Sequence, residues 1–154
     1  MSFFVAKKGK PFDWNAFQKH RGYTDEEMEA LKNDPKKRKY AQMLCSPELQ
    51  NKWLIVEVVE SHGCEVGLKV GDRLYFEGMS LLDTKRSSRW CPFAALDAIG
   101  WFANGCRSLF MQGVDPNNMY ADHFGCVDAG SKHGWGRVIV KAYVVDKGDL
   151  DKLG

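Results

Sequence analysis

Apolar residues are sparse and charge is dense between residues 7 and 39, whereas from Trp53 onward apolar positions come in runs and stripes. The change divides the chain into a helical N-terminal arm over residues 1–50 and a compact core domain over residues 51–154. In the arm, Thr24-Asp25-Glu26-Glu27 has the pattern of a capping box: Thr24 accepts from the backbone of Glu27, whose side chain returns the bond. A short helix is expected from there to about residue 32. Asp34-Pro35 starts a second, with Asp34 as N-cap and Pro35 at the first helical position, running to about residue 44. Met28, Leu31, Tyr40, Met43 and Leu44 are their main apolar anchors, and Phe12, Trp14 and Phe17 form an aromatic cluster without a clear period. Helices so thinly anchored are expected to have no core of their own and to pack on the body or on another chain.

In the core domain, Trp53-Leu54-Ile55-Val56-Glu57-Val58-Val59-Glu60 is β-branched and nearly continuously apolar, as a strand buried on both faces would be. Residues 73–77 alternate, with Leu74 and Phe76 opposite Tyr75. Residues 136–145 place Val138, Val140, Ala142 and Val144 on one face, and residues 3–6 offer a short edge strand. Cys91-Pro92 opens one core helix, with Pro92 at its first position; Phe93, Leu96, Ile99, Phe102, Cys106 and Leu109 then recur every three or four residues. Residues 112–136 are rich in Gly, Asp, Asn and His and show no period. A loop that long is usually functional or ordered by something bound. The expected fold class is α+β: a small antiparallel or mixed β-sheet with one packed helix and a helical N-terminal arm.

Composition narrows the function classes. Hydrophobic residues at 44% and charged residues at 27% are ordinary for a globular chain. A net charge of +2 gives no electrostatic case for nucleic acid or for a membrane surface. No run of ~18 apolar residues is present, so no bilayer span is expected. The start places the basic pair Lys7-Lys8 after its apolar stretch, the reverse of a signal peptide. Five cysteines cannot all pair, and a reduced, cytoplasmic setting fits them.

The cysteines are the first candidates for chemistry. They are separated by 18, 26, 14 and 19 residues, so the paired ligands of zinc ribbons and ferredoxin loops are excluded. Cys91 and Cys106 fall at opposite ends of one expected helix, roughly 20 Å apart, and cannot share a metal. Cys106 lies on the apolar stripe and reads as a small core residue. Cys45 has no ligand type beside it. Cys91, at an expected helix N-cap, has its thiolate favoured by free N–H groups and the helix dipole. Cys64 follows a buried strand in a Gly-flanked turn, and Cys126 lies in the long loop. Segments at element ends converge readily, so Cys64, Cys91 and Cys126 form the expected metal-ligand trio, with His62 or His123 as a fourth ligand. His20 and His133 have no candidate cysteine at hand. Gly125, Gly130, Gly134 and Gly136 match no phosphate-loop or dinucleotide pattern. The run Lys36-Lys37-Arg38-Lys39 reads as a solvated or partner-facing surface, and Trp90, Trp101 and Trp135 as core aromatics or a ligand-pocket wall.

The order Cys64…Gly67-x-x-x-Gly71-Asp72, then Cys91-Pro92-Phe93-Ala94, then Cys126-x-Asp128 before a final strand, resembles a family of small uncharacterised cysteine-containing proteins of anaerobic bacteria and archaea. The resemblance covers about residues 53–145 and leaves out the arm. It departs at Phe93, where the family pattern has Trp, and at Asp128-Ala129, where it has Asp-Pro. It implies the core fold and the cysteine positions, and no activity.

The expected role is a non-catalytic accessory protein or small subunit of a larger, anaerobic enzyme assembly. It would hold a cysteine-ligated structural or redox metal, zinc or an iron–sulfur cluster, and meet its partner subunit through the N-terminal arm. Two enzyme readings stand beside it. One is a small metalloenzyme with an open coordination position. The other is a thiol enzyme in which Cys91 is the nucleophile and His62 or His123 the base.

Overall fold

The computed structural model describes residues 4–153. The chain divides into two compact units, Met1–Asn51 and Lys52–Gly154. In the first, four short helices follow one another: α1 (Trp14–Arg21), α2 (Asp25–Asn33), α3 (Pro35–Leu44) and α4 (Pro47–Gln50). The local signals read in the sequence are present. Glu27 N–H donates to Thr24 Oγ1 (3.2 Å) and Thr24 N–H to Glu27 Oε2 (2.8 Å), and Asp34 accepts from Lys36 and Lys37 N–H.

Two further helices show no apolar period, because caps rather than stripes define them. Asp13 accepts from Ala16 N–H to start α1, which stops at Gly22 in the left-handed region (φ 73°) with basic residues in its last turn. Ser46-Pro47 starts α4 as Asp34-Pro35 starts α3.

The expectation that the arm has no core is overturned. Phe17, Met28, Ala41 and Cys45 are buried together, with Phe4, Phe12, Trp14 and Leu31 packed against them. The rings interlock closely, with Phe12–Trp14 centroids at 4.5 Å and Phe4–Phe17 at 5.8 Å. Helices of 8 to 10 residues are marginal alone and draw their stability from such packing. Of the expected edge strand, Phe3 lies outside the described residues. Residues 4–6 form no strand, and Ala6 N–H donates instead to the Cys45 carbonyl (2.7 Å).

The second unit is built on a five-stranded antiparallel sheet. Its strands are β1 (Lys52–His62), β2 (Arg73–Glu77), β3 (Leu81–Leu82), β4 (His123–Gly125) and β5 (Arg137–Asp146), in the order β3-β2-β1-β5-β4. An α+β fold is therefore what this sequence forms. β1 is central, and register explains its continuous apolar run. Leu54, Val56 and Val58 share one face with Val144, Ala142 and Val140, while Trp53, Ile55 and Glu57 share the other with Val145, Tyr143 and Lys141. Residues 53–56 are buried on both faces in consequence. Between Val58 and Glu60 the β1–β5 register slips by a bulge, which adds twist and redirects the end of β1 toward Cys64.

Helix α5 (Leu96–Met111) buries Ile99, Phe102 and Cys106, and Phe102 meets Phe124 of β4 edge-on, with centroids 6.0 Å apart. It starts later than Pro92 suggests. Residues 92–95 form turns, in which Ala94 N–H donates to the Cys91 carbonyl and both Ala95 and Val127 N–H to the Phe93 carbonyl. Ala95 sits at φ 63° with no side-chain cap. The tertiary Val127 bond to the Phe93 carbonyl outweighs the local proline signal, and Phe93 and Leu96 leave the buried stripe for the surface.

The stretch 112–136 is anchored within the chain. Besides containing β4, it carries Asn117, whose side-chain amide stands in for a missing strand. Asn117 Nδ2 donates to the Val144 carbonyl (2.9 Å) and Oδ1 accepts from Val144 N–H (2.8 Å). Replacing Asn117 with alanine leaves both Val144 groups without these partners and is expected to cost about 2 kcal/mol in urea unfolding. Asn117→Asp, which keeps the acceptor, should cost less. A 3-10 helix over Lys147–Leu153 closes the chain. Among the described residues no helix is long and apolar enough to cross a membrane.

Candidate functional site

Three segments converge at the end of the sheet where β1 finishes and β5 begins, and each carries a cysteine. After β1, Gly63 (φ 61°) reverses the chain, and Gly67 N–H closes a turn on the Cys64 carbonyl (3.1 Å). Gly71-Asp72 holds the next turn. Asp72 accepts from Lys69 N–H (2.8 Å), while Gly71 N–H and the Asp72 carbonyl pair with Val58 of β1. Gly-Asp is thus a backbone device that places the Cys64 loop against the sheet.

Cys91 lies in the turns ahead of α5, where Trp90 Nε1 donates to the Ala94 carbonyl (3.2 Å). Because α5 begins at Leu96, Cys91 is not a helix N-cap, and the dipole no longer acts on its thiol. Cys126 prolongs the pairing of β4 with β5. Its N–H donates to the Val138 carbonyl, and its Sγ accepts from Val138 N–H at 3.2 Å.

Two residues on, Asp128 ties the loop together. Its Oδ1 accepts from Gly130 N–H (3.1 Å) and Trp135 N–H (3.0 Å), and its Oδ2 from Gly136 N–H (3.1 Å). The Gly136 bond does most to hold the carboxyl below its ordinary range; burial pushes the other way, and the Trp135 and Gly130 bonds add to the lowering. A carboxyl lowered on folding stabilises the fold above its unfolded value of ~3.9 and loses that contribution as pH falls through the folded value. Amide exchange checks this. Protection at Gly130, Trp135 and Gly136 is expected to fall about tenfold or more in Asp128→Ala, and in the unaltered protein under acid.

Cys64, Cys91 and Cys126 line one cavity of about 900 Å³. Its walls also include Leu68, Trp90, Phe93 and Val138, with Arg89 and Arg137 among them. His62, at the end of β1, and His123, paired at 2.7 Å with Asp122, are not part of the lining. Nor are Trp101, which packs on Tyr120 and Phe124, or the exposed Trp135. Cys45 and Cys106 are buried elsewhere. Burial raises the Cys45 thiol against the pull of Arg21, and burial, helped by Asp115, pushes Cys106 up to about 12. Both thiols are protected from chemistry. All five cysteines are free of disulfides. Among the described residues no group of three or more His, Cys, Asp and Glu side chains is arranged to hold a metal ion.

Some of the polar machinery carried no signal in the sequence. Arg89 and Arg137 reach the cavity only through tertiary convergence. On the opposite sheet face Glu57 accepts from Arg73 Nη2 (3.2 Å) and Tyr143 O–H (2.8 Å). Burial pushes its carboxyl up, but those two donors hold it below the ordinary range. Its cross-strand neighbours could have suggested the group only once register was known.

No protein-family model, curated protein or solved structure matches this chain.

Proposed function

We propose that the three-cysteine cavity is the working site and that its thiolates hold an iron–sulfur centre, in a chain serving as an accessory protein or small subunit of a larger assembly. One observation carries the reading: three cysteines from three separate segments line the same cavity, while the other two are buried apart from it. Zinc is the weaker candidate. Its sulfur ligands sit ~2.3 Å from one point, which draws the three sulfurs closer together than cluster ligation requires. A cluster spreads its thiolate ligands over several irons, and a cavity of about 900 Å³ has room for one. The Val138 N–H bond to Cys126 Sγ is the kind of contact that stabilises a thiolate and tunes a cluster's potential. Three thiolates leave one iron of a four-iron cluster to take its ligand from outside the trio. The exposed Lys36-Lys37-Arg38-Lys39 run in the first turns of α3 is the surface offered to the larger subunit.

Thiol mapping tests the site. In the metal-free protein iodoacetamide should label Cys64, Cys91 and Cys126 and spare Cys45 and Cys106 until unfolding. After anaerobic loading with ferrous iron and sulfide the three should become protected together. Unchanged labelling of all three after loading would overturn the reading.

A further inference from the structure

The charge around the cavity is unevenly committed. Of its lining carboxylates, Asp72 accepts from Lys69 N–H, and both oxygens of Asp128 are occupied by backbone N–H groups. Arg89 and Arg137 are exposed, and among the described residues neither is paired with a carboxylate. Glu65, also exposed, is the remaining lining carboxylate. Among the described residues, two arginines without a carboxylate partner thus line the cavity beside Leu68, Trp90, Pro92, Phe93 and Val127. Its three carboxylates are Glu65, Asp72 with one oxygen held by a backbone N–H, and Asp128 with both so held.

We infer that the cavity takes a small organic carboxylate, its anionic head on Arg89 and Arg137 and its apolar body against Trp90 and Phe93. The inference rests on the same cavity being the working site. A guanidinium presents parallel N–H donors that match the two oxygens of a carboxylate, and an apolar wall rewards a carbon body. A phosphoryl group fits less well. Phosphate sites draw on helix N-termini, and α5 begins at Leu96, outside the lining.

The test uses calorimetry on the reduced, metal-free full chain, with 2-naphthoate, 2-naphthamide and phenyl phosphate as probes. Naphthoate is expected to bind about tenfold more tightly than the uncharged amide, and the advantage should shrink with added salt. Arg89→Gln and Arg137→Gln, both at exposed positions, should each lose most of that advantage while leaving amide binding and the unfolding midpoint unchanged. Equal affinity for acid and amide, no binding of either, or a preference that survives both substitutions would overturn the inference. Tighter binding of phenyl phosphate would overturn the choice of a carboxylate. Because no metal is present, the two readings fail separately. A chain that loads iron yet shows no acid preference loses only this inference, and one that prefers the acid yet takes up no iron loses only the metal reading.

Discussion

Gly136→Ala is expected to destabilise the protein by about 3 kcal/mol or more, the upper end of what an added methyl costs in a filled space. A Cβ on Gly136 would lie 2.2 Å from the Gly63 carbonyl oxygen, 2.3 Å from its carbon and 2.6 Å from the His62 oxygen. These are backbone atoms and cannot swing aside. The collision falls where β1 and β5 end their pairing at His62 and Arg137, two residues before Cys64. The damage should therefore reach the cavity, with Cys64 labelled faster in the native state. Gly100→Ala supplies the opposite sign. That glycine lies inside α5 with nothing within 4 Å of an added Cβ, so alanine should stabilise by about 0.5–1 kcal/mol. Urea unfolding of the two variants reads both effects, and a Gly136→Ala midpoint equal to that of the unaltered chain would contradict the close strand approach.

Phe102→Ala is the second large effect, at about 3–5 kcal/mol for a buried aromatic ring. Phe102 is 1% exposed and meets Phe124, so its removal opens a void and loosens β4 from the helix. Cys126 directly follows β4, so on the proposed metal reading uptake of iron should weaken along with stability. Trp101, the residue just before it in the helix, is 43% exposed. Its alanine variant loses the edge contacts with Tyr120 and Phe124 but opens no enclosed void, so it should lose less, about 1–2 kcal/mol, despite the larger ring. Equal losses at the two positions would mean that the helix face is assigned wrongly.

The parts of this fold that were legible in the sequence are those set by neighbouring residues. Thr24 and Glu27, Asp34 and Pro35, and the alternation from Val138 to Val144 act over a few positions, and all three appear as read. What escaped depends on distant partners. Pro92 reads as a helix start by itself, but the Val127 bond to the Phe93 carbonyl holds 92–95 in turns. Asn117 looks like a loop residue until Val144 is beside it. The arm looked coreless because its packing comes from aromatic residues between helices, where no period shows. That Cys64, Cys91 and Cys126 line one cavity was legible because ends of elements tend to meet. The arginines were not, since nothing near Arg89 or Arg137 in the chain announces a cavity.

The most direct measurement of the metal reading is iron and acid-labile sulfide per chain after anaerobic reconstitution, read with the visible spectrum. About four of each per chain, with charge-transfer absorption, is the expected result. Cys64→Ser, Cys91→Ser and Cys126→Ser should each lower it sharply, and Cys106→Ser should leave it intact in any protein that still folds. A chain that takes up no iron and sulfide, or retains them with all three cavity cysteines replaced, would contradict it.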